Sequence, residues 1–308
     1  MKIVLLDAKT LGEDLDLGAL RELGELEIHQ TTAYKETLER IQEADVVITN
    51  KVVLDQAIMS HTPRLKLICI AATGTNNVDV EFAAIHNIIV KNVAGYSTNS
   101  VVQHTFAMLF YLLQQMSYYS QVAFNGAWHG SKIFTDISKP FYEISGKQWG
   151  IIGLGAIGQE VAKIASAFGA SVVYYSTSGK NCDHDYPRVE LDELLSMCDI
   201  VSIHAPLNDQ TRYLLNAHNL ALLKPNAILL NLGRGGIIHE GDLATLLDQK
   251  EIYAGLDVLE KEPIEPNHPL LKIRKNERLL ITPHIAWTSK EARTKLLKGV
   301  VDNIKGLK

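Results

Sequence analysis

The length, composition and charge of the chain already exclude several classes of protein. Its 308 residues, 46% hydrophobic and 21% charged, fit a globular protein of about two domains. This excludes disordered chains, collagen-like repeats and small disulfide-rich scaffolds. The formal net charge of −5 argues against a nucleic-acid or membrane-surface partner, because such proteins usually carry a basic excess.

The cysteines and the N-terminal segment predict a reducing, cytoplasmic location. Cys69, Cys182 and Cys198 are widely spaced and form no C-x-x-C motif, so neither a disulfide framework nor a metal site is expected. The N-terminus becomes acidic after one short apolar run, which predicts a first strand rather than a signal peptide. No run of about 18 apolar residues occurs, so no membrane span is expected.

Strands and helices are predicted to alternate along the chain. Apolar, β-branched runs predict strands at Lys2–Leu6, Asp45–Thr49, Leu65–Ala71, Ile88–Lys91, Trp149–Ile152, Ser171–Tyr175, Ile200–His204, Ala227–Asn231, Ile252–Leu256 and Leu279–Ile281. Segments with helical spacing of apolar residues, such as Leu191–Met197 and Glu240–Gln249, lie between them. This alternation predicts an α/β fold of parallel sheets with helices on both faces.

The segment from Asn99 to about Gly126 is predicted to be one long helical stretch. It contains no proline and is apolar around much of its circumference, which predicts burial against more than one surface. An irregular connection is expected from there to Gly146. A boundary between domains is expected near 98–100 or near 146.

A glycine-rich turn, GIIGLGAIG at 150–158, lies between a predicted strand and a helical pattern, and a second strand follows. In this β–α–β setting, G-x-G-x-x-G predicts a dinucleotide site. Gly153 permits the tight turn, Gly155 lets the backbone approach a pyrophosphate, and Gly158 allows close packing of the helix. The alternative is a structural turn that binds nothing.

The end of that second strand bears on the choice of cofactor. NAD-binding units usually carry an acid there to hold the ribose 2′-hydroxyl, but this chain has Ser176, Thr177, Ser178 and Lys180. Hydroxyls and a lysine accommodate a 2′-phosphate, which a carboxylate would repel, so NADP is expected to be accepted. The alternative is that Ser176 only relaxes the preference and NAD still binds. The first acid, Asp183, is expected to lie too far along the chain.

Three ionisable residues, Arg234, Glu262 and His284, each follow a predicted strand, where open α/β sheets bind ligands. Arginine suits the carboxylate and carbonyl of a 2-keto acid, and histidine delivers a proton to the forming alkoxide. A carboxylate beside that histidine orients its ring and keeps it protonated. Each residue alone is readily explained as a surface charge, but their shared context predicts hydride transfer to a 2-keto acid.

The sequence resembles the D-isomer-specific 2-hydroxyacid dehydrogenase family over essentially its whole length. The resemblance rests on AATGTNNVD (71–79), NVAGYSTNSV (92–101), GIIGLGAIG (150–158), HAPLNDQT (204–211), NLGRGG (231–236), GLDVLEKEP (255–263) and TPHIAW (282–287), in the family's order. It implies that Arg234 binds the substrate carboxylate and carbonyl. It also implies that His284 is the acid/base and that Glu262 is its partner.

The resemblance implies further contacts with substrate and cofactor. Backbone amides at Thr73 and Gly74 would hold the substrate carboxylate, Asn50 would lie near the cleft, and Trp287 would either wall the pocket or be an ordinary core residue. The implied cofactor-binding residues are Gly153, Gly155, Ala156, Ile157, Gly158, Ser176, Thr177, Ser178, Lys180, His204, Ala205, Pro206, Thr211, Leu232, Gly233 and Asp257, the last at the nicotinamide end. No metal is expected.

The resemblance also implies a discontinuous domain organisation. Residues 1–98 plus 288–308 would form a flavodoxin-like substrate-binding domain, and a Rossmann-type cofactor domain at 99–287 would be inserted into it. The segment 99–126 resembles the element through which family members dimerise, so a homodimer is expected. Closure of the two domains would expel water from the path of the hydride.

Trp287 after His284, together with Thr49-Asn50-Lys51, resembles the hydroxypyruvate reductase and glycerate dehydrogenase branch. The expected reaction is reduction of hydroxypyruvate to D-glycerate by NADH or NADPH, with glyoxylate as a side substrate. D-lactate and phosphoglycerate dehydrogenases are alternatives. Formate dehydrogenase shares the fold but moves no proton, so the paired Glu262 and His284 argue against it. A cofactor-sensing, corepressor-like binding protein is the alternative from another class.

Overall fold

A computed structural model describes residues 1–180 and 185–307, which form two compact units. Unit 1 comprises Met1–Ser97 and Thr288–Lys308, and unit 2 comprises Thr98–Trp287. These boundaries lie within one residue of the expected ones, and unit 1 is built from both ends of the chain. Cys182 and Asp183, which were considered in the sequence, lie outside the described residues.

Unit 1 contains a five-stranded parallel sheet in the order β2-β1-β3-β4-β5, the flavodoxin-like arrangement. Its strands are β1 (Lys2–Leu5), β2 (Glu25–Ile28), β3 (Val46–Thr49), β4 (Leu67–Ile70) and β5 (Ile89–Lys91). Its α-helices are α1 (Gly18–Arg21), α2 (Tyr34–Ile41), α3 (Gln56–Met59), α4 (Val80–Ile85) and, from the end of the chain, α11 (Lys290–Lys305). β3 and β4 are buried along their whole length, as expected of strands covered on both faces.

The C-terminal helix is fixed to the N-terminal part of unit 1 by polar contacts. Arg293 on α11 donates to the Leu11 carbonyl at 2.8 Å and forms an ion pair with Asp14. The side-chain amide of Asn303 donates to the Asn92 carbonyl at 3.1 Å. These contacts explain how the two separate stretches of chain form one unit.

Unit 2 contains a six-stranded parallel sheet in the order β11-β10-β9-β8-β6-β7. Its strands are β6 (Gln148–Ile152), β7 (Ser171–Tyr175), β8 (Ile200–Ile203), β9 (Ile228–Asn231), β10 (Tyr253–Leu256) and β11 (Leu279–Ile281). Its α-helices are α5 (Thr98–Leu113), α6 (Met116–Phe124), α7 (Ala156–Ala167), α8 (Leu191–Met197), α9 (Ala217–Leu220) and α10 (Glu240–Gln249). β7 and β8 lie on opposite sides of β6, so the strand order reverses there, which is where doubly wound sheets form a ligand crevice.

The sheet of unit 2 is buried on both faces. Ile151 belongs to one apolar cluster and Ile152 to another, because successive side chains of a strand point to opposite faces. This confirms the predicted parallel α/β architecture. None of the helices within 1–180 and 185–307 has both the length and the apolar character that a membrane span requires.

The prediction of one helical stretch from Asn99 to Gly126 is wrong at its middle. α5 ends at Leu113 and α6 begins at Met116, because Gln115 adopts the left-handed conformation with φ 52°. Its side-chain amide donates to the Leu112 carbonyl at 2.9 Å and so helps to close the last turn of α5. α5 is largely buried, whereas α6 contains no buried residue.

Candidate active site

Most of the predicted site residues lie at one edge of the sheet in unit 2. All six strands are parallel, so their carboxyl ends share that edge. Residues that closely follow each strand are Gly153 after β6, Ser176 after β7, His204 after β8, Arg234 after β9, Glu262 after β10 and His284 after β11. The last three therefore follow strands that are neighbours in the sheet.

His284 and Glu262 are directly paired. Nδ1 of His284 lies 2.7 Å from Oε2 of Glu262, and the other oxygen of that carboxylate accepts a hydrogen bond from the Leu259 amide at 2.9 Å. A carboxylate on Nδ1 fixes the ring orientation and leaves Nε2 as the nitrogen that exchanges a proton with a substrate. The pair has the geometry of an oriented acid/base.

The backbone of His284 is held in an unusual conformation by Asp257. His284 has φ 54°, in the left-handed region that non-glycine residues rarely adopt. Its amide donates to the Asp257 carbonyl at 2.9 Å, and the Asp257 carboxylate accepts the amides of Ile285 at 2.8 Å and Ala286 at 2.9 Å. Asp257, which directly follows the neighbouring strand β10, thus fixes the chain on both sides of the His284 ring.

Asp257 is almost completely buried, at 2% exposure. Burial acts to raise the pKa of its carboxyl group, but hydrogen bonds from His104, Thr282 and the following backbone amides outweigh burial and hold the pKa below its usual value. The carboxylate is therefore charged and internally bonded. Its implied contact with the nicotinamide end of a cofactor stays a prediction.

The loop that carries Arg234 packs against the loop that carries Glu262. The side-chain amide of Asn231, the last residue of β9, donates to the Arg234 carbonyl at 2.9 Å. A Cβ atom on Gly235 would lie 1.9 Å from the Leu259 carbonyl oxygen, so only glycine permits this approach. The sequence predicted Arg234 but gave no indication of this contact.

The glycine-rich turn has the geometry of a dinucleotide site. Gly153 has φ 92°, and a Cβ there would lie 2.9 Å from the backbone of Ala205. A Cβ on Gly158 would lie 2.3 Å from the Gly153 carbonyl oxygen, so the helix packs closely on the turn. Gly155 caps α7, and no heavy atom of the described chain lies within 4 Å of its missing Cβ. The open side of Gly155 at a helix N-terminus is where a pyrophosphate fits.

Two polar side chains beside this turn have buried atoms with no hydrogen-bond partner among the described residues. These atoms are the two ring nitrogens of His204 and the hydroxyl oxygen of Ser176. Burial lowers the pKa of His204 to about 3, so the ring is neutral. Because buried polar groups are nearly always hydrogen-bonded, these atoms fit a ligand rich in ribose and phosphate oxygens. The residues present therefore fit a nicotinamide dinucleotide.

The remaining predicted cofactor contacts divide by exposure. Lys180 and Ser178 are exposed and Thr177 is half-buried, whereas Leu232 is buried. Thr211 is fully buried, and its hydroxyl donates to the Pro206 carbonyl at 2.7 Å. Because its hydroxyl bonds within its own loop, Thr211 braces the segment 206–211 rather than offering surface to a ligand. Trp287 is half-buried, so it is not a core residue.

The predicted substrate residues Asn50 and Thr73 lie in unit 1, after the neighbouring strands β3 and β4. Asp7, which follows β1, accepts hydrogen bonds from the backbone amides of Asn50 at 2.9 Å and Lys51 at 2.7 Å. The Thr73 carbonyl accepts the side-chain amide of Asn92 at 2.6 Å. Sequence reasoning missed Asp7, although an acid directly after a buried strand was a signal for it.

Comparison with known proteins decides the family. The sequence model of the protein family described as D-isomer specific 2-hydroxyacid dehydrogenase, NAD binding domain, matches residues 106–286. The chain belongs to this family. It is accordingly an oxidoreductase that acts on CH–OH groups with a nicotinamide cofactor. Within residues 1–180 and 185–307, no group of three or more His, Cys, Asp and Glu is placed to hold a metal ion.

Individual relatives match nearly the full length of the chain. A hydroxypyruvate reductase of Blautia hydrogenotrophica is 38% identical over 99% of this chain and 96% of its own. A glycerate dehydrogenase of Methylorubrum extorquens is 34% identical over 98% of this chain and 95% of its own. The structure of an acyclic imino acid reductase in complex with NADPH and D-Arg is 30% identical, with a TM-score of 0.87 over 99% of this chain and 96% of that one.

Proposed function

We propose that the protein reduces hydroxypyruvate to D-glycerate with NADH or NADPH, and that it accepts glyoxylate as a side substrate. The observation that carries the proposal is the His284–Glu262 pair at 2.7 Å, held at the same sheet edge as the dinucleotide turn. Keto-acid reduction needs a proton donor there, whereas formate oxidation does not. The similarity to a hydroxypyruvate reductase and a glycerate dehydrogenase supports the choice of substrate.

Each residue of the site has a definite task in this reaction. The guanidinium of Arg234 binds the substrate carboxylate and polarises the C2 carbonyl, since its planar donors match both oxygens. Bound NADH or NADPH supplies the hydride for C2. Nε2 of His284 donates the proton to the forming alkoxide, and Glu262 stabilises the imidazolium beforehand. In the reverse direction His284 is the general base.

The finer contacts belong to the same proposal. The backbone amides of Thr73 and Gly74 hold the carboxylate of the substrate, and Asn50 approaches its polar end. Trp287 limits the size of the group attached to C2. Its half-buried position supports this role, because a core tryptophan would be fully enclosed.

A panel of 2-keto acids tests the proposal. Purified protein is given hydroxypyruvate, glyoxylate, pyruvate and phosphohydroxypyruvate with each cofactor, and oxidation of the cofactor is followed by absorbance. Hydroxypyruvate should give the highest kcat/KM. His284→Ala should lower kcat by about 10²- to 10⁴-fold while NADH binding persists, because one general acid contributes about that much. NADH binding without turnover of any acid would instead support the corepressor-like alternative.

We also infer that the protein accepts NADPH as well as NADH. Position 176 carries a serine rather than an acid, and the serine hydroxyl has no partner among residues 1–180 and 185–307. Together with the exposed Ser178 and Lys180 nearby in the chain, this supports a site that tolerates a 2′-phosphate. The imino acid reductase that binds NADPH is a relative of similar fold.

Ser176→Asp should separate the two cofactors. A carboxylate there repels a 2′-phosphate and accepts a ribose 2′-hydroxyl, so the NADH-to-NADPH ratio of kcat/KM should rise at least about ten-fold. Ser196→Asp adds the same charge at an exposed position on α8 and should leave the ratio unchanged. A wild-type preference for NADH of more than about a hundred-fold would contradict the proposal; that ratio equals about 2.7 kcal/mol.

We further propose a homodimer formed through the helical region 99–126, in the cytoplasm. α6 has no buried residue in the isolated chain although it is rich in apolar side chains, which supports a covered surface in an assembly. Cys69 and Cys198 are buried free thiols, which supports a reducing compartment.

A further inference from the structure

His104 lies on α5, remote in sequence from every predicted catalytic residue, yet it contacts the network behind His284. Its side chain is 18% exposed. Nε2 of His104 lies 3.1 Å from Oγ1 of Thr282 and 3.5 Å from Oδ1 of Asp257. Oγ1 of Thr282 in turn donates to Oδ1 of Asp257 at 2.7 Å. The imidazole, the hydroxyl and the carboxylate form one connected polar group.

We propose that His104 is a positioning residue for His284, acting through Thr282 and Asp257. The inference rests on the proposed role of His284 as acid/base. In this role, His104 determines where the segment that carries His284 is held.

Asp257 is bonded to the loop on both sides of His284. Its carboxylate accepts Thr282, two residues before His284, and the amides of Ile285 and Ala286, which follow it. The orientation of this carboxylate therefore sets the left-handed backbone of His284. A strained backbone persists only where its surroundings over-determine it, so each donor to the carboxylate contributes to keeping the ring in place.

Helix α5 also contacts the same loop at another point. The hydroxyl of Ser100 donates to the Ala286 carbonyl at 2.6 Å. Ser100 and His104 are four residues apart, so they lie on one face of α5. Two side chains of a helix that is packed into the core thus fix the loop from 282 to 286 at both ends. The position of the loop follows the rigid helix rather than solvent.

The Asp257 carboxylate is buried and charged, so an N–H donor directed at it and at Thr282 is worth more than the same donor in water. Leucine at position 104 fills similar volume but offers no donor. Glutamine places an amide nitrogen the same number of bonds from Cα as Nε2 of histidine, so it is the conservative substitute.

Kinetics of His104→Leu and His104→Gln with hydroxypyruvate and NADH test the proposal. His104→Leu should lower kcat about ten- to a hundred-fold, because a displacement of about 1 Å at a reacting group costs that much. KM and the NADH dissociation constant from fluorescence should change less than about three-fold, since the Asp257 carboxylate keeps its hydrogen bonds from Thr282, Ile285 and Ala286. His104→Gln should recover most of kcat. His218→Leu, the same change at an exposed site on α9, should retain wild-type kinetics.

Two further measurements separate positioning of His284 from a general loss of stability. Thr282→Val removes the middle hydroxyl, and its effect combined with His104→Leu should be clearly less than the product of the two separate effects, because both act through Asp257. A wild-type kcat in His104→Leu would overturn the proposal. It would also be overturned if His104→Leu lowered both kcat and the unfolding midpoint and if His104→Gln restored neither. His284→Ala in the same series keeps the two hypotheses distinct: if that variant stays active, the proposed function itself fails.

Discussion

Asp257 and His204 are both shielded from water, but one side chain is charged and the other is neutral. Burial acts to raise the pKa of Asp257, but several hydrogen-bond donors surround its carboxylate and lower the pKa by more, so the group stays charged. His204 is enclosed with no partner for either ring nitrogen among the described residues, so burial alone acts and the group stays neutral. The first holds a loop in place. The second places a neutral ring with two polar nitrogens beside the dinucleotide turn.

The neutral state of His204 makes the stability of the cofactor-free protein depend on pH. The folded pKa is about 3 against an ordinary value of 6.5, so between these values the unfolded chain binds a proton that the folded chain does not. His204 should therefore not lower the free energy of unfolding above pH 6.5. As the pH falls below 6.5, it should lower the free energy of unfolding by about 1.4 kcal/mol per pH unit.

Denaturant titrations at a series of pH values measure this dependence. His204→Asn removes the titrating group, so the free energy of unfolding should fall less steeply between about pH 5 and 6.5 than in wild type. His218→Leu removes an exposed histidine instead and should retain the wild-type slope. Equal slopes for wild type and His204→Asn would show that His204 does not titrate abnormally.

At the level of elements, the sequence predicted most strands because buried parallel strands are continuous apolar runs. β7, β11, α8 and α10 have the predicted bounds. β2 was missed because it is a short edge strand whose ELEI sequence alternates acids with apolar residues. The break at Gln115 was missed because no glycine or proline marks it. A left-handed glutamine leaves no trace in the hydrophobic pattern.

The contact between the Arg234 and Glu262 loops gives a prediction at this scale. Gly235→Ala places a Cβ where the Leu259 carbonyl stands, so the loops must separate. We expect unfolding free energy to fall by about 1–3 kcal/mol, as in overpacked sites, and kcat/KM to fall because Arg234 and Glu262 move. Thermal unfolding and steady-state kinetics measure both effects.

Gly241→Ala is the matched control for that variant. A Cβ at this position on α10 meets only His239, at 3.5 Å, which is an ordinary contact. Alanine also favours a helix over glycine by about 0.5–1 kcal/mol, so this variant should be as stable as wild type or slightly more stable. If Gly235→Ala behaves like Gly241→Ala, the loops are not packed as described.

For the whole molecule, the sequence motifs indicate a domain organisation that length and net charge alone do not. Length predicts about two domains but not that the first is built from both chain ends; only the resemblance of the ordered motifs implied that. The pairing of Glu262 with His284 was predictable because both follow strands of one sheet. The support from His104 was not, since His104 lies outside the motifs and its contacts join distant parts of the sequence. With a net charge of −5, the proposed anionic substrate and cofactor must be bound by local donors, for which we propose Arg234 and the α7 N-terminus.

The proposed dimer gives the prediction that concerns the whole molecule. Phe124, the last residue of α6, is 91% exposed, and apolar residues from 116 to 141 are exposed around it. Exposed apolar residues that cluster in one part of a chain often mark a surface that is covered in an assembly. Light scattering should give twice the chain mass of 34.1 kDa for wild type and a single chain mass for Phe124→Glu. Ile85→Glu places the same charge on an exposed apolar residue at the end of α4 and should leave the dimer intact. A monomeric wild type, or a Phe124→Glu variant that stays dimeric, would contradict the proposed interface.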